Sequence, residues 1–398
     1  MKPEPAQNKS GLSSSRSGRT RRCQRPSASP KILLLSAYHS ASHRYWCEGL
    51  MAALPEFDWT LKTQPSRHFS WRVRASGWLW ALAEDPDLSE EYDLVIATSL
   101  SEVVTLKALC PALHGTPLWL YFHENQFAHP IGAHQWASHQ KGWQFQSIQN
   151  ALCADRIYFN TAFNRDSFFA GARQLLKKFP ERLPNQPIQR LEVRSEVLPV
   201  PLTERFETLC SAPKNPRLIV WNHRWEWDKQ PERFLKGLTA LASEGIDFEV
   251  AMLGSGGGRN PEEFREYREA LGRCVRHWGE ADEATYTAFM REAGIGVSSA
   301  LHDFQGLAIL ELAQAGATVV VPRRLAYPEC LPGAYFYEGS TEDQATDIDN
   351  LKDALRQLLS GAPPQKTDRK TLPRWSTLAG AYRESILTSL TRSGPGSK

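Results

Sequence analysis

Two carboxylates and a glycine turn lie close together toward the end of the chain. Asp303 and Glu311 are eight positions apart, and Gly306 and Leu307 stand between them at the start of an apolar run that predicts a helix. The amides of Gly306 and Leu307 would be unpaired at the N-terminus of this helix, where they and the helix dipole can bind an anion. A phosphate flanked by hydroxyl groups fits, which indicates a nucleotide sugar. Alternatively, each carboxylate is an ordinary solvated surface residue.

Two cations follow the predicted strand 217–222. Arg224 and Lys229 would project from the loop after this strand, where charges that persist at neutral pH can clamp a diphosphate. A surface loop with a local Arg/Glu pair is the plainer alternative. Because ligands bind at the carboxyl ends of strands in doubly wound domains, we favour the clamp and expect Arg224 and Glu311 to face one pocket.

A glycine run begins directly after the next predicted strand. Gly254 is its first residue, and Gly256, Gly257 and Gly258 follow. Glycines let backbone approach a ligand closely, so Gly254 is a further candidate for binding the nucleotide sugar, which would be the donor. No Lys-Ser or Lys-Thr pair follows the run, which excludes a P-loop and leaves the signal weak.

Polar side chains also follow the predicted buried strand 117–122. His123, Glu124 and Asn125 come directly after it, and polar groups there are costly unless they are satisfied or used. His123 could donate a hydrogen bond to a substrate hydroxyl or relay a proton. In the alternative interpretation, the three residues cap the strand and satisfy one another.

Residues 67–74 interleave basic and aromatic side chains. The candidates for contact with the acceptor or with RNA in this segment are Arg67, Trp71, Arg72 and Arg74. Guanidinium groups and an indole are the side chains that pair with phosphates and stack on bases. The alternative is a loop of amphipathic side chains that covers the edge of a sheet.

Strands and helices alternate twice along the chain, so we predict an α/β protein with two Rossmann-like doubly wound domains facing a central cleft. The first alternation begins with a buried strand at 31–37 and a helix at 43–54, whose first residue, His43, is another candidate on the acceptor side. A proline-dense segment, 180–216, predicts an interdomain connection. The predicted units are a disordered basic arm at 1–30, domains at 31–200 and 201–372, and a closing helix at 373–392 that packs back on the first domain.

Composition narrows the class of protein. A chain of 398 residues is too long for one comfortable core, and its net charge is only +3. Since the arm holds seven basic residues against one acidic residue, any binding of nucleic acid requires a local patch or this arm. The seven cysteines include no C-x-x-C pair, which argues against a disulfide framework or a zinc site and favours the cytoplasm. We expect no membrane span and no secretory signal.

Together these motifs resemble the retaining GT-B glycosyltransferases and, more narrowly, the tRNA-queuosine alpha-mannosyltransferase family. The resemblance extends over roughly residues 31–385. The segments that carry it are FSWRVR at 69–74, YFHENQ at 121–126, FNTAFN at 159–164, HRWEWDK at 223–229, and HDF at 302–304 through Glu311 with YPE at 327–329.

The resemblance implies transfer of mannose from GDP-mannose to the cyclopentenediol of queuosine in a tRNA anticodon, with retention of configuration and without a metal or other cofactor. It would place the site residues as follows: Arg224 and Lys229 on the diphosphate, Glu311 on the donor ribose, Asp303 on sugar hydroxyls, and His123 beside the reacting centre.

The chain departs from the family pattern at two places. Asp303 stands where the usual Glu-x7-Glu pair has its first glutamate, which leaves the identity of the donor sugar open. Ser40-Ala41 stands where the family tends to have Gly-Gly. Two alternatives therefore remain: a GT-B transferase with another donor and a non-RNA acceptor, or an inactive RNA-binding module. The presence of Arg224, Lys229 and Glu311 argues against the inactive module.

Overall fold

The computed structural model describes residues 29–129, 137–181, 184, 186–254, 260–365 and 367–391. In these residues the chain forms two parallel sheets of six strands each, with helices on both faces. The predicted basic arm at 1–30, apart from its last two residues, and most of the glycine run after Gly254 lie outside the described residues.

The first sheet has the strand order β2-β1-β3-β4-β5-β6. Its strands are β1 (Lys31–His39), β2 (Asp58–Pro65), β3 (Leu94–Thr98), β4 (Leu118–Phe122), β5 (Arg156–Phe159) and β6 (Ser195–Val197). Its helices are α1 (Ala41–Ala53), α2 (Phe69–Leu82), α3 (Val103–Leu109), α4 (Ala137–Cys153), α5 (Ala162–Leu176) and α6 (Gln186–Val193). Parallel neighbours joined by helical crossovers make this a doubly wound domain.

The second sheet has the order β12-β11-β10-β7-β8-β9. Its strands are β7 (Asn215–Trp221), β8 (Glu249–Met252), β9 (Val275–Trp278), β10 (Ala293–Val297), β11 (Thr318–Pro322) and β12 (Tyr335–Tyr337). The helices that follow β6 are α7 (Pro231–Ser243), α8 (Arg265–Leu271), α9 (Glu283–Glu292), α10 (Leu307–Ala315), α11 (Tyr327–Cys330), α12 (Gln344–Leu359) and α13 (Trp375–Thr391).

The central strands of each sheet are buried on both faces, which explains why β3, β4 and β11 are largely apolar runs. In β1, Leu33 and Leu35 pack into the core on one side of the sheet, while Ile32 and Leu34 pack into the core on the other side. The second sheet is likewise placed between two apolar cores. Polar residues therefore concentrate where the strands end, at the edges that face the cleft.

The last helix, α13, returns to the first domain. The hydroxyl of Tyr382 accepts a hydrogen bond from Nε1 of Trp46 in α1 at 3.0 Å and donates one to the carbonyl of Pro199 at 3.0 Å. At the surface, Arg383 pairs with Glu56 at 2.8 Å. These contacts anchor the closing helix to the domain that begins the chain.

Three predictions of local structure need correction. The segment 180–216 is not only a connection, because α6 and β6 lie within it and β6 is the last strand of the first sheet. Pro187 is compatible with α6 because the amides of a helix's first turn need no partner within the helix. The first helix begins at Ala41 rather than at His43, and most of 67–74 is not a loop, since α2 begins at Phe69.

Two general features follow from the described residues alone. The described part of the chain contains no helix that is both long and apolar enough to cross a membrane. Its six cysteines are free thiols, and two of them, Cys47 and Cys110, are buried. A buried thiol in an apolar environment packs as a small hydrophobic side chain.

Candidate functional site

The loop between β10 and α10 ends in a glycine that the local geometry requires. Gly306 has φ 78°, in the left-handed region, and a Cβ added there would lie 2.9 Å from the ring of Tyr327. Its carbonyl accepts the first bond of α10 from the amide of Leu310 at 3.0 Å. Among the described residues, no acceptor is found for the amides of Gly306 and Leu307. The helix start therefore offers the two open amides that the sequence predicts.

Lys229 is largely buried in the cleft wall formed by the second domain, with 12% of its side chain exposed. Its Nζ donates a hydrogen bond to the carbonyl of His302 at 2.6 Å and lies 3.3 Å from Asp228 Oδ2 and 3.6 Å from Asp303 Oδ2. Burial acts to lower the pKa of Lys229, but the carboxylates of Asp303 and Asp228 outweigh it and raise the pKa above its ordinary value. The lysine is therefore a fixed positive charge at any physiological pH.

Asp303 faces this lysine from the loop before α10. The hydroxyl of Tyr327 donates a hydrogen bond to Asp303 Oδ2 at 3.1 Å. Burial acts to raise the pKa of Asp303, but Lys229 and the bond from Tyr327 contribute to holding it below its ordinary value. The carboxylate is thus ionised and oriented, as a group that accepts hydrogen bonds from sugar hydroxyls must be.

Three residues that the sequence reasoning did not single out complete this cluster. They are His223, Asp228 and His302. Burial, with the positive charge of Lys229, lowers the pKa of His223 to about 4, so the imidazole is neutral. Nδ1 of His302 lies 3.8 Å from Asp228 Oδ2, and its ring packs at a tilt against that of His129 in the first domain, with 4.5 Å between centroids. All three stand inside the motifs HRWEWDK and HDF, but adjacency in a motif does not reveal which side chains are buried.

Arg224 takes a different position from Lys229, although both belong to the loop between β7 and α7. Its side chain is 56% exposed, and its Nη1 pairs with Glu226 Oε1 at 2.8 Å. Arg224 therefore lies at the rim of the cleft with a solvent-exposed charge, whereas Lys229 lies in its wall.

Glu311 is buried below the same helix start. Its Oε2 accepts a hydrogen bond from the hydroxyl of Tyr286 at 2.7 Å, and Asn222 Nδ2 donates to that hydroxyl at 2.8 Å. Burial raises the pKa of Glu311, with a partial offset from the bond to Tyr286 and the charge of Arg205. In the described structure, Glu311 forms no ion pair with Arg224. Arg224 pairs with Glu226 and Glu311 bonds to Tyr286, so the two predicted residues do not contact each other in one pocket. Asn222, two residues before Arg224, connects the two regions.

Gly254 is used for packing between loops. A Cβ at this position would lie 1.6 Å from the carbonyl oxygen of His223, which no side chain can tolerate. The carbonyl of Gly254 accepts a hydrogen bond from Nε1 of Trp225 at 2.9 Å. The glycine therefore lets β8 approach the loop that carries Arg224 and Lys229, and its effect on a donor would be indirect.

The opposite wall of the cleft, in the first domain, includes a cluster of neutral rings. The rings of His43 and His123 lie 4.4 Å apart between centroids, and Trp46 and Tyr121 pack on His123 at 4.9 and 4.7 Å. Burial, together with the neighbouring His43, holds the pKa of His123 well below its ordinary value. Nε2 of His123 and Nδ1 of His43 are buried without a partner in the described structure. His43 is therefore not a solvated helix end but the residue that supports His123.

Glu124 and Asn125 differ in what they can offer a ligand. Asn125 is buried, its amide nitrogen donates to Asn164 Oδ1 at 2.8 Å, and its amide oxygen accepts from the amides of Phe127 and Ala128 at 2.8 and 3.0 Å. Because both ends of this amide are occupied, Asn125 positions the loop rather than offering itself to an acceptor. Glu124 is partly exposed and accepts a bond from Gln126 at 3.2 Å, which leaves it free to contact a ligand as well.

The four candidates in residues 67–74 do not share one face. Arg67 and Arg74 are exposed, and the side chain of Trp71 is 68% exposed. Arg72 instead turns inward, and its Nη1 donates to Gln64 Oε1 at 3.3 Å. In a helix, residues 71 and 74 lie on one side and residue 72 on another, so Arg72 is a structural residue of the sheet edge.

Contacts across the cleft hold the two walls together. The hydroxyl of Thr161 donates to the carbonyl of Phe304 at 2.8 Å, and the side chain of Gln305 makes two bonds to the backbone of Val200 at 3.0 and 2.8 Å. The carboxylate of Glu329 accepts bonds from the amides of Ala162 and Phe163 at 2.7 and 3.1 Å. The loop with Asp303 is therefore fixed against the first domain as well as within the second.

Within the described residues, no group of three or more His, Cys, Asp and Glu side chains is arranged to hold a metal ion. The prediction that neither a metal nor another cofactor takes part stays a prediction. The described wall nevertheless provides what an anionic leaving group needs, namely a buried ammonium group and open helix amides.

Comparison with known proteins finds similarity to one described family. Residues 31–202 match the family model described as tRNA-queuosine alpha-mannosyltransferase N-terminal. The chain is 29% identical over 323 residues to a tRNA-queuosine alpha-mannosyltransferase from Drosophila melanogaster, a match that covers 79% of this chain and 85% of the fly protein. The resemblance inferred from the motifs is confirmed.

Solved structures confirm the fold. The chain is similar to a sucrose-phosphate synthase from Thermosynechococcus elongatus with a TM-score of 0.63 and 12% identity, covering 90% of this chain and 100% of that one. It is also similar to Alr3699/HepE from Anabaena, solved in complex with UDP-glucose, with a TM-score of 0.59, 12% identity and the same coverage. At this level of identity the likeness establishes the GT-B architecture alone.

Proposed function

We propose that the chain, which is similar in sequence to the tRNA-queuosine alpha-mannosyltransferases and in fold to the GT-B glycosyltransferases, transfers mannose from GDP-mannose to queuosine in a tRNA anticodon. The transfer proceeds with retention of configuration. No metal ion or other cofactor takes part.

One observation carries the proposal. Lys229 is a buried cation at the carboxyl edge of the second sheet, within reach of Asp303 and beside the open amides of α10. Departure of a nucleoside diphosphate develops negative charge on the β-phosphate, and a fixed cation and helix amides stabilise that charge. Arg224, at the rim, closes on the same diphosphate once the donor is bound and Glu226 is displaced.

The remaining groups bind and orient the donor. Glu311 accepts hydrogen bonds from the hydroxyls of the donor ribose, and Tyr286 holds its carboxylate in place. The carboxylate of Asp303 accepts hydrogen bonds from hydroxyls of the sugar. Because Lys229 lies 3.6 Å from this carboxylate, one cation can stabilise both Asp303 and the phosphate. His123 meets the sugar and the acceptor from the opposite wall.

The chemical step needs no protein nucleophile. The bond between the anomeric carbon and the β-phosphate oxygen breaks, and the acceptor oxygen bonds to the same face of that carbon. The acceptor proton passes to the departing phosphate, which the wall of Lys229 holds nearby. His123, neutral because it is buried, accepts or donates a hydrogen bond to hydroxyls without carrying charge into the cleft.

The experiment that tests the proposal is a transfer assay with purified protein. The protein is incubated with queuosine-containing tRNA and with GDP-mannose, UDP-glucose or UDP-galactose, and the nucleosides are analysed by mass spectrometry. We expect one added hexose with GDP-mannose only, and nuclear magnetic resonance of the product should show the α-anomer. Transfer of hexose from a UDP-sugar alone would reject GDP-mannose as the donor. No transfer from any of the three donors would reject queuosine in tRNA as the acceptor.

A further inference from the structure

Two neighbouring helices of the first domain lack carboxylates altogether. Between Asp58 and Glu84, and again between Glu124 and Asp155, the sequence contains no aspartate or glutamate. These segments include the whole of α2 and α4. Since about a quarter of the chain is charged, with acids nearly as numerous as bases, their absence from both segments creates a local positive field in a nearly neutral protein.

The two helices are packed against each other and form one surface. The ring of Phe69 in α2 meets the edge of Trp143 in α4, with 5.1 Å between centroids, and Val73 joins Trp143 in a small buried core. Gly142 in α4 lies directly against the guanidinium of Arg74, since a Cβ there would lie 2.2 Å from its Nη2. Among the side chains that this surface exposes are Arg67, Trp71, Arg74 and Lys141.

These exposed groups have no acidic partners. In the described residues, neither Arg67 nor Arg74 nor Lys141 forms an ion pair. Trp71, at 68% exposure, presents a flat ring to solvent on the same side of α2 as Arg74. An exposed indole among unpaired cations is what binds unstacked bases and their phosphates.

The surface begins at the mouth of the cleft. α2 follows the carboxyl end of β2, where Pro65 pairs with His39 of β1. Tyr38 packs on Phe69 with 5.3 Å between centroids and lies within electrostatic reach of both Glu124 and Arg224, which face the cleft. The cationic end of α2 is thus the end nearest the site of transfer, and the N-terminus of a helix also favours anions.

The far end of α2 has the opposite character. Glu84, Asp85 and Asp87 follow the helix, and Lys62 is paired with Asp85 at 2.6 Å. Leu82, two-thirds exposed, continues the exposed side of α2 without a cation beside it. Positive charge is therefore confined to the half of the surface that borders the cleft.

We propose that the surface formed by Arg67, Trp71, Arg74 and Lys141, here named the α2–α4 surface, binds the single-stranded loop of the RNA acceptor. Trp71 stacks on an unpaired base, and the three cations pair with the phosphates on either side. The inference rests on the proposed function, because it specifies how the acceptor of that reaction is held. It assigns to the folded body a role that would otherwise fall to the basic arm.

The test measures RNA binding separately from sugar transfer. The full-length protein is titrated, by fluorescence anisotropy, into a labelled anticodon stem-loop RNA and into a duplex RNA of equal length, at several salt concentrations. The variants are Trp71→Ala, Trp71→Phe and Arg74→Ala. The controls are Arg265→Ala, an exposed arginine of the second domain, and Leu82→Ser, at the acidic end of α2.

We expect Trp71→Ala and Arg74→Ala each to weaken binding of the stem-loop by roughly tenfold, with near-normal binding by Trp71→Phe and both controls. Arg74→Ala should also reduce the slope of log affinity against log salt by about one. Thermal stabilisation by GDP-mannose should be the same in all variants.

Several results would overturn the inference. Unchanged affinity and salt slope in both alanine variants would do so, as would equal affinity for the duplex. If the protein self-associates and Trp71→Ala makes it monomeric without affecting RNA, the surface is an interface between copies. The proposed function fails separately: RNA binding that depends on Trp71, without hexose transfer from any donor, would reject the reaction and keep the surface.

Discussion

The wall of the cleft formed by the second domain carries a largely buried cluster of charges, whereas the buried rings in the wall formed by the first domain are neutral. In the second domain, Lys229 lies between Asp303 and Asp228, and all three stay ionised because each lies close to an opposite charge. In the first domain, the ring of His123 packs against that of His43, and burial keeps both rings uncharged.

Under the proposed function, this difference assigns a separate task to each wall of the cleft. A diphosphate leaving group requires charge that is already in place, and buried ion pairs supply it without reorganisation. An acceptor hydroxyl requires hydrogen bonds from groups that do not compete for the phosphate, and a neutral imidazole supplies these. The substitutions below either break one wall alone or sharpen the contrast between the two.

The largest effect is expected at the charged wall. Lys229→Met keeps the length of the side chain but removes the cation, and transfer should fall by at least about a thousandfold, as when a group that stabilises a developing oxyanion is lost. Initial rates with GDP-mannose and queuosine-containing tRNA measure this effect. In Lys229→Met the carboxylate of Asp303 loses its positively charged partner, and adding Asp303→Asn removes that unpaired charge. If the double variant regains stability but not transfer, the loss of transfer comes from the chemistry and not from unfolding.

A smaller loss is expected at the neutral wall. His123→Gln removes the imidazole while keeping a hydrogen-bonding side chain, and the transfer rate should fall by roughly a hundredfold, within the range of a lost proton-relay or orienting group. His43→Phe keeps the stacked ring and should cost less. If His123→Gln instead abolishes the binding of GDP, the first domain takes part in holding the donor and the contrast between the walls is wrong.

Acid should destabilise the fold through its buried histidines. Burial lowers the folded-state pKa of His223 to about 4, below the ordinary value of 6.5, so the unfolded chain binds more protons between these values. Stability from this group is fully present above pH 6.5 and is lost as the pH falls toward 4, by up to about 3 kcal/mol. Chemical denaturation at pH 7 and pH 5 should show a smaller loss in His223→Gln than in the wild type. An equal loss in both would exclude His223 as a source.

The smallest effect is expected for Glu311, because its proposed contact, with the donor ribose, is the one farthest from the bond that breaks. Glu311→Gln can still accept the hydrogen bond from Tyr286, so packing is kept while the negative charge is lost. The KM for GDP-mannose should rise by about tenfold, with little change in kcat, because a ribose contact stabilises ground state and transition state equally. A fall in kcat at unchanged KM would contradict this assignment.

The sequence predicts most of the elements that carry the site. The pattern from Leu307 to Ala315 predicts α10 with its observed bounds, because glycines at 306 and 316 both take positive φ and end the helix cleanly. The sequence also predicts which polar residues line the cleft, because the residues that follow a buried strand lie at the edge of the sheet where ligands bind.

What the sequence could not show is how individual side chains orient in the folded chain. Arg224 and Lys229 belong to one loop, yet Arg224 is exposed and Lys229 is largely buried. Lys229 faces Asp303, which reaches it through tertiary packing that no local pattern encodes. Arg72 and Arg74 are separated by the period of a helix that the interleaved segment did not predict.

The most direct test of this division is calorimetric titration of GDP into the wild type, Lys229→Met and His123→Gln. The account predicts that binding is lost, or weakened at least about a hundredfold, in Lys229→Met and stays within about twofold of the wild type in His123→Gln. Equal affinity of Lys229→Met and the wild type for GDP would contradict the claim that buried charge in the second domain holds the leaving group.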